Sequence, residues 1–144
     1  MIDVAPAIMV RREIKAPAAD LFDAWLDPEL LAQWMRPGDF APARVKNDPR
    51  VGGSFEISMQ SACGDGILHT GVYRKIDRPR VLVFTWISVH TQERETLVTV
   101  TFNRRGPSAT EIVITHEMLP TADAASKHAG GWGSLLEKLA GLKG

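Results

Sequence analysis

Strict alternation of side-chain character marks the clearest strand of this chain, between residues 110 and 118. One face of that segment carries, in order, Thr110, Ile112, Ile114, His116 and Met118. The other face carries Glu111, Val113, Thr115 and Glu117. A period of two is typical of a half-buried strand. It predicts that His116 points into the interior together with Ile112, Ile114 and Met118.

Shorter patterns of the same kind predict six more strands. The first covers residues 8–14, and the others follow between residue 40 and the strand at 110–118, with Val98, Val100 and Phe102 facing inward. The turn-forming segments between them are Asn47-Asp48-Pro49-Arg50 with Gly52-Gly53, Gly64-Asp65-Gly66, Asp77-Arg78-Pro79-Arg80 and Arg105-Gly106-Pro107-Ser108. Because the turns are short, successive strands are expected to pair as an antiparallel meander.

Helical spacing of apolar residues predicts two short helices directly after the first strand. Pro17 is placed as the first residue of one helix, whose apolar residues are Leu21, Phe22 and Trp25. Asp27 is placed as the N-cap of the next helix, with Pro28 just inside it. That helix presents Leu30, Leu31 and Trp34, and Pro37-Gly38 ends it.

A longer amphipathic stripe predicts a final helix from about Thr121, its N-cap, to Leu142. The stripe consists of Ala125, His128, Trp132, Leu135, Leu139 and Leu142. At 1.5 Å per residue this helix measures about 30 Å, which matches the length of a nine-residue strand at roughly 3.3 Å per residue. One helix can therefore lie across the whole sheet and bury Trp132 against it.

Composition restricts the classes of function. The 144 residues can bury a core without metals or disulfides, and 17 Lys plus Arg balance 17 Asp plus Glu. A neutral chain gives no electrostatic case for nucleic acid or anionic lipid as partners. The single Cys63 forms no internal disulfide, residues 1–10 lack a signal-peptide pattern, and no apolar run approaches a membrane span. We expect a soluble, cytoplasmic protein.

The order strand, two short helices, six strands and long helix resembles the helix-grip fold of the START-like (Bet v 1-like, SRPBCC) superfamily. Within it, the chain resembles the single-domain bacterial relatives of the activators of the heat-shock-protein ATPase (Aha-type). The residues that carry this resemblance are Ala16-Pro17, Phe22-Asp23-Ala24-Trp25, Asp27-Pro28-Glu29, Trp34, Asp48, Arg50-Val51-Gly52-Gly53, Phe55, Asp65-Gly66, Gly71-Val72-Tyr73, 79–86, 96–100, Thr110-Glu111, Thr115-His116-Glu117, His128, Gly131-Trp132 and Leu135-Leu136-Leu139.

The resemblance implies an α+β fold in which a curved antiparallel sheet of about seven strands wraps around a long C-terminal helix. Residues 1–144 would form one START-like domain. Members of the superfamily bind hydrophobic small molecules, and some relatives catalyse cyclisation or isomerisation. We therefore expect a small hydrophobic ligand between the sheet and the last helix, with no cofactor. A homodimer is left open.

Inward-facing residues of the sheet and helices supply the expected ligand-binding set. It consists of Trp34, Phe55, Ile57, Met59, Tyr73, Phe84, Trp86, Val98, Val100, Ile114, His116, Met118, His128 and Trp132. These residues are also ordinary core material, so only geometry separates a pocket from a filled core. Two rival functions remain at this stage. One is an enzyme that uses His116 or His128 in proton transfer, and the other is a co-chaperone-type interaction module.

Three local features have two interpretations each. His116 and His128 either orient a ligand or are buried and hydrogen bonded, His116 to Tyr73 or a backbone carbonyl. Gly130-Gly131 either allows tight helix packing or shapes the mouth of a cavity, since each glycine costs roughly 1 kcal/mol in a helix. Three imidazoles suffice to hold a zinc ion, and the chain could supply them from His69, His116 and His128. No ligand pair at metal spacing supports such a site.

Overall fold

A computed structural model describes residues 7–36, 41–60 and 66–143. Some features of the sequence lie outside these described residues, namely residues 1–6, Pro37-Gly38, Cys63 and Gly64-Asp65.

The elements follow the predicted order of one strand, two short helices, six strands and a long helix. They are β1 Ile8–Ile14, α1 Ala18–Ala24, α2 Pro28–Trp34, β2 Arg44–Asn47, β3 Ser54–Gln60, β4 Gly66–Asp77, β5 Val81–Trp86, β6 Thr96–Gly106, β7 Ala109–Glu117 and α3 Ala122–Lys143. A single 3-10 turn covers Val89–Thr91 between β5 and β6. The prediction of an α+β helix-grip fold is confirmed.

All seven strands form one curved sheet in the order β1-β7-β6-β5-β4-β3-β2, and every neighbouring pair is antiparallel. Strands β2 to β7 are the predicted meander. Strand β1 joins the far side of β7, where Ile8 lies opposite His116 and Ile14 lies opposite Thr110. The first and last strands of the chain are therefore neighbours.

Close approach between strands explains the glycine in the middle of β4. A Cβ atom at Gly71 would collide with the carbonyl oxygen of Thr85 and the ring of Phe55. Two residues further on, the register of β4 against β5 shifts between Tyr73 and Lys75. Such irregularities bend a sheet, so this stretch of β4 contributes to the curvature that encloses α3.

The N-termini of the helices are capped by the expected residues, except that one residue lies one position earlier in its helix than predicted. The Asp27 side chain accepts hydrogen bonds from the backbone of Glu29 at 2.9 Å and of Leu30 at 3.4 Å. The Thr121 hydroxyl accepts from the Ala124 amide at 3.0 Å and so begins α3. Pro17 is the N-cap of α1, not its first helical residue as predicted.

The long helix buries Trp132, Leu135 and Leu139, as its spacing predicts. Leu142 is 40% exposed, so its assignment to the buried stripe is wrong, and Leu136 is fully buried instead. A stripe built from alternating steps of three and four residues gradually turns away from the buried face, because a helix advances about 100° per residue. None of the helices among the described residues is long and apolar enough to cross a membrane.

Met118 also departs from the prediction, because it is 53% exposed while Leu119 is buried. The backbone of Met118 has a φ of 67°, and β7 ends one residue earlier. Alternation holds only while the backbone stays extended. The left-handed residue turns its own side chain outward and directs the next one into the core.

Candidate functional site

His116 lies fully buried at the centre of a chain of hydrogen bonds that joins α3 to the sheet. The indole Nε1 of Trp132 donates to His116 Nδ1 at 3.0 Å. His116 Nε2 lies 2.7 Å from the hydroxyl of Thr96, and that hydroxyl donates to the carbonyl of Trp86. Each polar atom in this series of hydrogen bonds has a partner.

The direction of these bonds fixes the protonation of His116. An indole N–H only donates, so Nδ1 of His116 is the acceptor and Nε2 carries the proton that Thr96 accepts. Burial, together with a smaller effect of the neighbouring His128, lowers the pKa of His116 to about 3. His116 is therefore neutral and has no free nitrogen to offer a ligand. Of its two interpretations, the hydrogen-bonded core residue is correct, although the partners are Thr96 and Trp132.

His128 is half-buried on α3, and its ring meets that of His116 edge-on at 4.9 Å between centroids. Its Nδ1 donates to the Ala124 carbonyl one turn earlier, at 2.7 Å. Burial lowers the pKa of His128, against the opposing effect of that hydrogen bond. Its Nε2 has no hydrogen-bond partner among the described residues, so this nitrogen is an available acceptor.

An apolar pocket of about 210 Å³ lies between the sheet and α3, and we call it the α3 pocket. Its lining residues are Met59, His69, Trp86, His90, Lys127, His128, Gly131, Trp132 and Leu135. The Trp86 and Trp132 rings meet at 5.1 Å, and His69 stacks on Trp86 at 4.8 Å. Burial lowers the pKa of His69 to about 4, so it too is neutral at pH 7. The walls are mainly aromatic and uncharged.

A second space lies deeper in the molecule, against α1 and α2, and we call it the tryptophan gap. It measures about 10 Å³ and is lined by Trp25, Leu31, Met35, Phe55, Ile57, Tyr73, Phe84 and Trp86. The indole nitrogens of Trp25 and Trp86 are buried and have no hydrogen-bond partner among the described residues. Each unpaired donor costs about 1–3 kcal/mol.

The expected ligand-binding residues divide between these spaces and the filled core. Met59, Trp86, His128 and Trp132 line the α3 pocket. Phe55, Ile57, Tyr73 and Phe84 line the tryptophan gap, which Trp86 also lines. Trp34, Val98, Val100, Ile114 and His116 are buried and line neither space, and Met118 is exposed. The expected single cavity is thus a small pocket beside a nearly filled core.

Glycines in α3 favour one of their two interpretations. A Cβ atom added at Gly130, Gly131 or Gly133 would meet nothing within 4 Å. Tight packing of the helix on the sheet therefore does not require them. Gly131 lies in the wall of the α3 pocket, where the missing side chain leaves space open.

Several residues of the site were not predicted from the sequence. Thr96 could have been found, because it precedes Val98 by two positions on the same face, and Val98 pairs with His116. Trp25 was recognised as an apolar helix residue and as part of the family resemblance, but not as a site residue. His90 and Lys127 are exposed residues whose sequence neighbours gave no signal.

Among the described residues, no group of three or more His, Cys, Asp or Glu side chains is placed to hold a metal ion. Larger concavities lie elsewhere, and one of about 250 Å³ lies beside the exposed Leu68 and Val89. Two others measure about 540 Å³ on the outer side of β3 and β4 and about 720 Å³ between β1 and α3. Charged residues, including Glu56 and Glu95 in one and Arg12 and Glu137 in the other, line both. Such surfaces are wet, so the α3 pocket is the better apolar site.

Comparison with known proteins identifies the family of this chain. Residues 15–144 match the family model described as "Activator of Hsp90 ATPase homolog 1-like protein". The chain belongs to this family. The family resemblance inferred from the sequence is therefore confirmed.

Solved structures similar to this family member come from bacteria and a eukaryotic parasite. Protein CV1439 from Chromobacterium violaceum is 25% identical with a TM-score of 0.82, and the match covers 95% of this chain and 96% of that one. PFC0360w, an HSP90 activator from Plasmodium falciparum, is 23% identical with a TM-score of 0.76 and 96% of each chain covered.

CalU16 from Micromonospora echinospora is 20% identical with a TM-score of 0.72, and the match covers 92% of this chain and 73% of that one. At such identities, the similarities to PFC0360w and CalU16 establish only that the fold is shared. A search of curated proteins finds no match.

Proposed function

We propose that this protein binds a small, mainly apolar molecule in the α3 pocket. The observation that carries the proposal is an open, apolar space of about 210 Å³ walled by Trp86, Trp132, Met59 and Leu135. Drug-sized ligands occupy roughly 300–1,000 Å³, so the ligand is smaller, about the size of one substituted aromatic ring. Burial of its apolar surface contributes about 25 cal/mol per Å².

Orientation of this ligand falls to fewer residues than the sequence indicated. His116 uses both nitrogens within the core, and Tyr73 lies in the tryptophan gap. His128 offers its free Nε2 as an acceptor at the pocket wall. Lys127 lines the same pocket but is already paired with Asp123 at 3.2 Å.

Filling the pocket from α3 tests the proposal. Gly131→Phe places a ring in the open space, and Gly130→Phe is the matched control because Gly130 has equal space but does not line the pocket. The hydrocarbon α-methylstyrene is titrated while tryptophan fluorescence and melting temperature are measured. We expect binding to wild type and Gly130→Phe, and at least about tenfold weaker binding to Gly131→Phe.

Equal affinity of both phenylalanine variants would place the ligand elsewhere. Absence of binding to the wild type, together with no retained molecule in native mass spectrometry of the purified protein, would rule out the proposal.

A catalytic role for the same pocket would rest on His128. Its Nε2 has no hydrogen-bond partner among the described residues, whereas both His116 nitrogens are occupied. A general base needs such a free nitrogen within reach of the substrate. Loss of product formation in His128→Gln, with ligand binding retained, would support this alternative.

An interaction module of co-chaperone type has its own supporting observation. Leu68 is 51% exposed and Val89 is 59% exposed, and both line one shallow depression with Ile67 and Ile87. Exposed apolar patches often mark protein interfaces. Protein binding through this surface would be unaffected by Gly131→Phe, which separates the two functions.

A further inference from the structure

We propose that the tryptophan gap binds an oxygen atom of a neutral ligand, such as a ketone, ester or ether oxygen. This oxygen accepts hydrogen bonds from the indole N–H groups of Trp25 and Trp86. This proposal rests on the proposed function, because the apolar body of the same ligand would occupy the neighbouring α3 pocket.

The two indoles make the gap a site for an acceptor. Trp25 and Trp86 are each only 3% exposed, and neither nitrogen has a partner among the described residues. The molecule satisfies its other two indoles, since Trp34 donates to the Ala24 carbonyl at 2.9 Å and Trp132 donates to His116. Two residues with an unpaired indole donor therefore line the same small space, and among the four tryptophans they are the exceptions.

Size and charge of the gap restrict what can enter. About 10 Å³ is close to the space of one water-sized sphere, so a single oxygen atom fits and a larger polar group does not. None of the eight lining residues is charged, and an indole nitrogen only donates. A carboxylate would be buried without a cation, which is unfavourable. A neutral acceptor meets these conditions.

Trp86 places the gap next to the α3 pocket. Its side chain contributes to the lining of both spaces. The Trp132 ring lies between the two unpaired indoles, 5.9 Å from Trp25 and 5.1 Å from Trp86. In the proposed complex, a flat ligand in the pocket lies against these aromatic rings and its oxygen enters the gap beside Trp86.

A pair of probes with the same shape tests this inference. Acetophenone carries a ketone oxygen where α-methylstyrene carries a CH₂ group, so the ratio of their affinities isolates the oxygen. We expect Trp86→Phe to lower the preference for acetophenone over α-methylstyrene by about threefold to tenfold, the factor for one neutral hydrogen bond. Trp34→Phe, which removes an indole that is already bonded, is the matched control and should leave the ratio unchanged.

Proton NMR of the four indole N–H groups gives a readout that needs no variant. Acetophenone should move the Trp86 and Trp25 indole protons downfield and slow their exchange, relative to α-methylstyrene. The Trp34 and Trp132 protons serve as internal references. If both probes bind with an unchanged ratio and unchanged Trp25 and Trp86 signals, the inference is overturned and the proposed function stands. If neither probe binds, both are overturned.

Discussion

At the scale of single residues, the hydroxyl of Thr96 determines how His116 sits in the core. It accepts from His116 Nε2 and donates to the Trp86 carbonyl, while Trp132 occupies the other imidazole nitrogen. The four groups therefore act as one buried network, in which each member fixes the orientation of the next. Such networks are costly when one member is missing, because the remaining polar groups stay desolvated.

Thr96→Val keeps the shape of the side chain and removes this hydroxyl. We expect the free energy of unfolding to fall by about 1–3 kcal/mol, since the proton on His116 Nε2 and the Trp86 carbonyl lose a partner. Urea denaturation measures the change. Thr99→Val on the outward face of β6 is the control, with an expected change within about 0.5 kcal/mol. Equal effects at both positions would contradict the network.

At the scale of elements, α3 combines a well-packed face with a weak middle. Trp132, Leu136 and Leu139 are buried against the sheet. Gly130, Gly131 and Gly133 lie in the middle of the same helix with open space where a Cβ would be. Glycine loses more backbone entropy in a helix than other residues, so the packing of α3 on the sheet has to offset this cost.

Gly130→Ala should raise the free energy of unfolding by about 1 kcal/mol, because the helix gains propensity without a steric clash. The reverse change at the preceding position, Ala129→Gly, should lower it by a similar amount. Urea denaturation of both variants checks the pair. A destabilised Gly130→Ala would mean that the backbone needs glycine there after all.

Sequence patterns located this architecture better than its pocket. Period two placed Thr110 to His116 correctly because β7 is extended, and it failed at Met118 because a left-handed residue ends the strand. Capping chemistry at Asp27 and Thr121 is local and could be predicted. The difference between Trp86, which lines two spaces, and Val98, which lines neither, depends on packing across the whole core. That packing has no signal in a linear pattern.

At the scale of the whole molecule, buried neutral histidines link stability to pH. Burial lowers the pKa of His69 to about 4 and that of His116 to about 3. In the unfolded chain their pKa is near 6.5. Between these values the unfolded state binds more protons, so stability falls as pH falls below about 6.5. The slope is about 1.4 kcal/mol per pH unit for each histidine.

His69→Gln removes one of these groups. We expect the wild type to lose about 2 kcal/mol through His69 between pH 7 and pH 5, and the variant to lose that much less over the same interval. Urea denaturation at pH 7, 6 and 5 measures both slopes. Thr99→Val, which changes no titratable group, is the control and should keep the wild-type slope. An unaltered slope in His69→Gln would show that this residue titrates normally.

The pairing of β1 with β7 has a consequence for synthesis on the ribosome. Ile8 pairs with His116, about a hundred residues later in the chain. At roughly 5–20 residues per second, the apolar side chains of β1 remain without their partner strand for many seconds while the meander emerges. Distant pairing of this kind also slows folding after release. The pairing of β1 with β7 therefore completes the sheet after the other strands have been synthesised. Helix α3 is synthesised directly after β7.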